Sequence, residues 1–239
     1  MQWLKSFVCT ALLFANTFVF AVVVLLSAPF GLGARHAMAR GWARSNLWML
    51  KVLCGLDYVV EGLENIPRDG AHISYWKHTS AWETMAQMLI FPPQSWVLKR
   101  EIMWIPLVGW ATALMRPIAI NRAAGHRAVN QVVEKGGQRL AEGLWILLFP
   151  EGTRVRPGKT RKYGMSGALL ASQTGANLVP VAHNAGDYWP RRGLLKRPGT
   201  VRVVVGPPIE SRGRDPRELN EQAQAWVEAK MAQISASYR

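Results

Sequence analysis

The chain has 239 residues, of which 49% are hydrophobic, so it is long enough to bury the core of one domain together with a short appendage. Its formal net charge of +14 points to an anionic partner, such as nucleic acid, an anionic membrane surface or a phosphorylated substrate. The two cysteines, Cys9 and Cys54, form no CxxC pair or Cys/His cluster, which argues against a zinc site and against a disulfide framework.

The first element in chain order is an uncharged apolar run from Phe7 to Ser27. A run of this length can span the hydrocarbon core of a bilayer as a helix. It is longer than the apolar region of a signal peptide and is preceded by one lysine, which disfavours cleavage. Because most of the flanking basic residues follow the run, the positive-inside rule predicts a cytoplasmic location for the rest of the chain, at the inner membrane in a bacterium; these residues are Arg35, Arg40, Arg44 and Lys51.

The next segment, from Ala37 to Leu56, mixes tryptophan and leucine with three basic residues. This pattern fits an amphipathic helix at the membrane surface, and it fits equally well a surface helix packed on the domain that follows. In both cases residues 1–56 are predicted to be a membrane-anchoring helical region, and a separate domain is predicted to occupy residues 57–239.

Beyond Asp57 the pattern changes to short β-prone runs that alternate with helical segments. The alternation predicts an α/β fold with a mostly parallel central sheet flanked by helices. The predicted strands are 58–61, 71–76, 96–98, 118–120, 144–149, 178–182 and 201–205. The predicted helices are 82–90, 123–140, 165–174 and 216–234, the third ended by Gly175 and the fourth opened by Asp215 and Pro216.

A histidine, His78, lies between the strand predicted to end at Trp76 and the helix that follows. The carboxyl ends of strands in open α/β sheets face the usual ligand crevice, and histidine is the side chain best suited to take up a proton near neutral pH. Glu83 can orient the imidazole if His78 precedes the helix and Glu83 lies in its first turn. Alternatively, Ser80 and Glu83 form a capping box and His78 is only a polar loop residue.

A second polar cluster follows the apolar run that ends at Phe149. Its residues, Glu151, Gly152, Thr153 and Arg154, form a sharp turn, because Pro150 and Gly152 restrict the backbone. Arg154 can hold a phosphate or a carboxylate through two parallel hydrogen bonds. The alternative is a structural ion pair between Arg154 and Glu151.

Further basic residues follow other predicted strands, notably Lys99, Arg100 and Arg122. Cations at three separate strand ends suggest that one anionic headgroup is contacted from several sides. Much of the positive charge can instead serve as a solvated face against anionic membrane lipids.

Taken in order, these segments resemble the lysophosphatidate acyltransferase family, the 1-acyl-glycerol-3-phosphate O-acyltransferases. His78 to Glu83 resembles the family's HxxxxD motif, Ile120-Asn121-Arg122 its second block, and Phe149 to Arg154 (FPEGTR) matches its third block in full. Leu178 to Val181 resembles the fourth block, and the Lys99 to Ile102 segment, with Pro106 and Gly109, resembles the KxEL…P segment. The family usually has aspartate at the position of Glu83 and often asparagine at that of Lys77.

The resemblance implies that the sn-2 hydroxyl of 1-acyl-glycerol-3-phosphate (lysophosphatidate) attacks the thioester of acyl-CoA or acyl-carrier protein, giving phosphatidate. His78 and Glu83 would be catalytic, with His78 as general base. The residues that would bind substrate are Lys99, Arg122, Glu151, Gly152, Thr153 and Arg154.

No metal or cofactor is expected, because a thioester is already activated and one base suffices. The sequence has no nucleophile elbow such as GxSxG, so an acyl-enzyme is not indicated. Backbone N–H groups near Gly152 are candidates for stabilising the oxyanion.

Two rival functions compete with this interpretation. The acceptor can be a different lysolipid, such as a lyso-ornithine lipid, which lacks phosphate. From another class, the chain can be a membrane-tethered nucleic-acid binder that uses its positive charge without chemistry. Because the sequence contains no recognised nucleic-acid module, we do not expect a nucleic-acid partner.

Overall fold

The computed structural model describes residues 1–238, and within them the chain forms one seven-stranded sheet. The spatial order is β1-β7-β6-β2-β5-β3-β4, and every neighbouring pair is parallel except β6 with β7. The predicted α/β fold with a mostly parallel sheet is therefore confirmed. The strands are β1 (Leu56–Glu61), β2 (Ile73–Trp76), β3 (Gln94–Lys99), β4 (Ile118–Ile120), β5 (Trp145–Leu148), β6 (Leu178–His183) and β7 (Gly199–Val205).

Helices cover both faces of the sheet. They are α1 (Gln2–Leu26), α2 (Gly31–Cys54), α3 (Glu83–Ile90), α4 (Val108–Leu114), α5 (His126–Ala141), α6 (Ser166–Thr174), α7 (Ala185–Tyr188) and α8 (Pro216–Ile234). Successive side chains of a strand point to opposite faces, so Tyr75 of β2 packs with α5, α6 and α8, and Trp76 packs with α2 and α3. The central strands β2 and β5 are buried along their whole length, as expected for a sheet covered on both sides.

The N-terminal helix α1 is long and apolar enough to cross a membrane by length and composition. Only 22% of its most apolar window is buried, so most of its phenylalanine, leucine and valine side chains face outwards. Its first turns carry polar contacts to the domain, where the Lys196 carbonyl accepts a hydrogen bond from Gln2 (2.6 Å) and the Ser6 hydroxyl accepts one from the Lys196 N–H (3.0 Å). The helix therefore lies against the α/β domain at its N-terminal end.

Helix α2 returns alongside α1 and also packs on α3. The Trp42 indole donates to Thr17 (3.0 Å) and the Asn16 amide donates to Asn46 (2.8 Å), which joins the two helices through polar contacts. Of the two alternatives that the sequence left open, the structure shows the helix packed on the domain, and Trp48 on the same helix is 62% exposed.

Some details differ from the sequence prediction. Helices α4 and α7, and the 3-10 turn at Arg100–Trp104 before α4, were not predicted. A Cβ at Gly109 would lie 2.4 Å from the Met103 carbonyl, so glycine at this position permits the close approach of α4 to the turn before it. Helix α5 begins at His126 instead of Ala123, because the Asn121 side chain caps a short 3-10 turn there and Gly125 adopts a positive φ of 51°.

Candidate active site

His78 lies in the turn between β2 and α3, and its side chain is held by Glu83. The distance from His78 Nδ1 to Glu83 Oε1 is 2.8 Å. The same oxygen accepts hydrogen bonds from the backbone N–H groups of Thr79 (3.1 Å) and Ser80 (2.9 Å), and the Ser80 hydroxyl accepts one from the Trp82 N–H (3.1 Å). Glu83 therefore contacts the imidazole and forms one half of the predicted capping box, whereas the Ser80 hydroxyl bonds Trp82 and not the Glu83 N–H.

The electrostatics of this pair leave the imidazole free to act as a base. Burial lowers the pKa of His78, and the hydrogen bond to Glu83 offsets only part of that effect. Burial opposes ionisation of Glu83, yet the nearby His183 and His78 rings and the Ser80 N–H hold the pKa of Glu83 below its usual value. An ionised Glu83 accepts the Nδ1–H, which leaves the lone pair on Nε2 for a substrate proton.

The backbone of His78 is fixed from the opposite side by the FPEGTR turn. Its N–H donates to Glu151 Oε2 (2.8 Å), and its carbonyl accepts a hydrogen bond from the Val155 N–H (2.8 Å). The Phe149 ring stacks on the imidazole, with centroids 3.8 Å apart and planes inclined by 17°. The turn thus fixes the position of His78, while Glu83 fixes the orientation of its ring.

Glu151 is paired with Lys77, so the alternative of an Arg154–Glu151 pair is wrong. The distance from Lys77 Nζ to Glu151 Oε1 is 2.7 Å, and both side chains are fully buried. Burial raises the pKa of Glu151 to about 7 against the lowering effect of Lys77. Gly152 has φ = +69°, as a tight turn requires, and its N–H donates to the Phe149 carbonyl (2.9 Å). That N–H is therefore engaged and does not face an oxyanion.

The structure brings three of the predicted basic residues, Lys99, Arg122 and Arg154, to one cavity. The Arg122 guanidinium donates to the Gly152 carbonyl, which links the second and third motif blocks. The Nε of Arg154 is buried and makes no hydrogen bond within residues 1–238, so it has donor capacity left for an anion. Lys99 is more peripheral, since its side chain is 53% exposed and lies 3.6 Å from Glu101.

This cavity has a volume of about 360 Å³ and extends from His78 into an apolar region between the N-terminal helices and the sheet. Its apolar walls come from α1, α2, α3, β3 and α4 and include Phe20, Val24, Trp42, Met88, Trp96 and Met115. An apolar cavity with a few converging polar groups is typical of a site for a lipid-like ligand. Glu151 and Gly152 line a second cavity of about 320 Å³ beyond Arg122, and Thr153 lines neither.

Two further residues, the buried His183 and the partly exposed Glu228, support the site without a motif to signal them. His183, at the end of β6, places Nε2 2.7 Å from the Lys77 carbonyl and 4.0 Å from Glu83 Oε2. Glu228 of α8 is paired with Lys77 at 2.7 Å. The one available signal was Lys77 itself, a charged residue that directly follows the fully buried strand β2.

Comparison with known proteins identifies the family. A family model described as Acyltransferase matches residues 57–184. The 1-acyl-sn-glycerol-3-phosphate acyltransferase of Pseudomonas aeruginosa is 42% identical over 98% of this chain and 93% of its own length. The enzyme of the same name from Borreliella burgdorferi is 29% identical over 72% of this chain and 68% of its own length.

A solved structure, the 1-acyl-sn-glycerophosphate acyltransferase of Thermotoga maritima, has the same fold. Its TM-score is 0.82 at 23% identity, and the match covers 98% of both chains. With the family model spanning over half of the chain and a relative matched over nearly its full length, this chain belongs to the acyltransferase family, among the 1-acyl-sn-glycerol-3-phosphate acyltransferases.

Proposed function

We propose that the protein transfers a fatty acyl group from an acyl thioester to the sn-2 hydroxyl of 1-acyl-sn-glycerol-3-phosphate, forming phosphatidate. The observation that carries this proposal is the placement of His78 at the junction of two environments. The imidazole, oriented by Glu83 at 2.8 Å, lines one cavity together with apolar side chains and with the guanidinium groups of Arg122 and Arg154. An amphiphile with a phosphate headgroup fits both environments.

The chemistry needs one base and no covalent enzyme intermediate. His78 Nε2 removes the proton of the sn-2 hydroxyl as that oxygen attacks the thioester carbonyl carbon. The tetrahedral intermediate then collapses, the C–S bond breaks, and the imidazolium returns the proton to the departing thiolate. Glu83 stabilises the imidazolium during transfer, because its carboxylate contacts Nδ1 and is shielded from water.

Arg122 and Arg154, with Lys99 at the rim, are proposed to bind the phosphate of the acceptor. A guanidinium matches phosphate through two parallel hydrogen bonds, and the buried Arg154 Nε has no partner among residues 1–238. Gly152 and Thr153 are assigned to shaping the turn that presents Arg154. Glu151 faces Lys77 and does not line the apolar cavity. We therefore propose that Glu151 affects substrate turnover through the hydrogen bond that it accepts from the His78 N–H.

The acyl donor is proposed to be acyl-CoA or acyl-carrier protein, and the reaction requires no further cofactor. Residues 1–56 are proposed to anchor the acyltransferase domain, residues 57–239, to the membrane through the outward face of α1. The basic residues after α1 favour a location of that domain on the cytoplasmic side, against anionic lipids. Membrane association of this kind should survive a high-salt wash, since apolar burial is not screened by salt.

An acyl-transfer assay on the purified full chain tests the proposal. Lysophosphatidate and a lyso-ornithine lipid are offered in parallel, each with acyl-CoA and with acyl-carrier protein. We expect phosphatidate from lysophosphatidate and much slower transfer to the acceptor that lacks phosphate. Equal rates with both acceptors would contradict the assigned acceptor class, and binding of DNA without any acyl transfer would favour the nucleic-acid alternative.

A further inference from the structure

Lys77 is a fully buried lysine immediately before His78. Its side chain is 0% exposed, and a lysine in such surroundings is stable only when its charge is paired. Two carboxylates approach its ammonium group at 2.7 Å, Glu151 from the turn after β5 and Glu228 from helix α8. The ammonium also donates to the Lys159 carbonyl (3.4 Å) and lies 5.6 Å from the centre of the Tyr238 ring.

These contacts form a continuous path from helix α8 to the turn that contains His78. Glu228 contacts the Lys77 ammonium, the ammonium contacts Glu151 Oε1, and Glu151 Oε2 accepts the His78 N–H at 2.8 Å. The same carboxylate therefore joins the lysine to the backbone of the proposed base. None of the three charged side chains lines the apolar cavity, and the contact that joins them to a residue of that cavity is the hydrogen bond from the His78 N–H to Glu151.

The charges on this path are unequal, because one lysine faces two carboxylates. Burial disfavours the charged form of Lys77, yet the neighbouring Glu151 and Glu228 carboxylates raise the pKa of Lys77. Burial raises the pKa of Glu151 to about 7, Lys77 and the His78 N–H oppose the rise, and Glu228 adds to it. The other titratable groups that face Glu151 are the phenols of Tyr163 and Tyr238.

We propose that Lys77 is a positioning residue for acyl transfer, and that Glu228 tunes it from helix α8, because together they set the charge on the carboxylate that holds the His78 backbone. An ionised Glu151 is the stronger acceptor for the His78 N–H. Protonation of Glu151 weakens that bond and leaves the imidazole less firmly placed beside the cavity. The proposal rests on the proposed acyl transfer, and it adds the C-terminal helix to the support of the site.

The test compares the pH dependence of kcat in the full chain with that of two matched variants. Glu228→Gln removes a charge that adds to the burial-driven rise in the pKa of Glu151, so the acid limb of the profile, the fall in kcat at low pH, should move to lower pH. Glu221→Gln makes the same change at an exposed position of the same helix and should leave the limb in place. Groups that face the His78 ring itself, namely Glu83, Arg154 and His183, are unaltered in both variants.

A third variant, Lys77→Met, should move the acid limb in the opposite direction. Loss of the ammonium group raises the pKa of Glu151 further, so kcat at pH 7 should fall by about tenfold or more. The KM for lysophosphatidate should change little, because Lys77 does not line the cavity. If this variant does not fold, the comparison of Glu228→Gln with Glu221→Gln still decides the question.

The His78 amide signal in the NMR spectrum gives a readout that does not depend on turnover. In the wild-type protein in detergent, this signal should titrate near pH 7, and in Glu228→Gln at lower pH. The inference would be overturned if the His78 amide signal titrated at the same pH, and kcat fell at the same acidic pH, in wild type, Glu228→Gln and Glu221→Gln. Absence of acyl transfer to lysophosphatidate by the wild type would instead overturn the proposed function, while the amide titration would still decide the positioning role.

Discussion

Two buried carboxylates hold the same histidine from opposite sides, and they differ in what they hold. Glu83 contacts the ring through Nδ1 at 2.8 Å, whereas Glu151 contacts the backbone N–H at 2.8 Å. Glu83 collects N–H donors from its own turn, and its pKa stays below the usual value. Glu151 depends on a distant lysine, and burial raises its pKa to about 7.

The difference shows that burial alone does not decide the charge of a carboxylate. Both side chains are fully buried, so the desolvation cost is similar in kind, and the neighbouring groups decide the outcome: two imidazole rings lower the pKa of Glu83, whereas a second carboxylate, Glu228, adds to the rise at Glu151. The His183 and His78 rings, helped by the Ser80 N–H at the helix start, hold the pKa of Glu83 below its usual value. A donor that reaches Glu151 through a long-range contact leaves that carboxylate sensitive to its surroundings.

The largest effect is expected from removing the group that both carboxylates hold. His78→Ala should reduce kcat by about 10³-fold, because general-base catalysis is lost while the apolar core is untouched. Steady-state acyl transfer to lysophosphatidate measures this, with His126→Ala, an exposed histidine at the start of α5, as the control. Turnover near the wild-type level in His78→Ala would remove His78 from the mechanism.

The next largest effect is expected from changing Glu83, the carboxylate that contacts the His78 ring. Glu83→Gln should reduce kcat by about 10²-fold, because the charge that supports the imidazolium is lost. The amide oxygen can still accept the Thr79 and Ser80 N–H groups, so Tm should change little. Kinetics and thermal unfolding are measured on the same preparation. A large fall in Tm with unchanged kcat would show that Glu83 stabilises the start of the helix and has no role in catalysis.

A smaller effect is expected from changing Arg122, which contacts the FPEGTR turn at the Gly152 carbonyl. Arg122→Ala should raise the KM for lysophosphatidate by about tenfold, because a charge-assisted pair with phosphate is lost, and Arg122→Lys should recover only part of it. The KM for the acyl donor should change less. Arg127→Ala on the exposed face of α5 serves as the control. An equal rise in both KM values would show that Arg122 acts by holding the Gly152 carbonyl rather than by binding the acceptor.

The smallest effect separates capping from chemistry. Ser80→Ala removes the oxygen that accepts the Trp82 N–H, which should cost about 1 kcal/mol of stability. Glu83 still contacts His78 in this variant, so kcat should stay close to the wild-type value. Chemical denaturation gives the free energy of unfolding. A fall in kcat comparable to that of Glu83→Gln would mean that the cap and the imidazole cannot be treated separately.

The fold was largely predictable because its strands are short apolar runs with turn residues between them. Helix α8 begins at Pro216 as predicted, since Asp215 caps it by accepting two backbone N–H bonds. The order of the strands was not predictable, because it depends on which apolar faces meet in space. The antiparallel pairing of β7 with β6 is an example, since parallel and antiparallel strands buried on both faces have the same composition.

In the site, too, contacts between residues close in the sequence were predictable, and contacts between distant residues were not. The His78–Glu83 contact spans five residues, so a motif with defined spacing was able to predict it. The pairing of Lys77 with Glu228 spans 151 residues and has no sequence pattern. The alternative of an Arg154–Glu151 pair failed for the same reason, because the neighbour of Glu151 in space, Lys77, directly follows another strand.

Helix α1 also forms part of the cavity wall, through Phe20, Ala21 and Val24. Shortening the chain at its N-terminus to obtain a more soluble enzyme would therefore remove more than a membrane contact. Water would enter the apolar end of the cavity, and a bound acyl chain would lose the surface that shields it. An inactive truncated protein would thus report a damaged substrate pocket, and a protein intended for assay or crystallisation should retain the helix and use detergent.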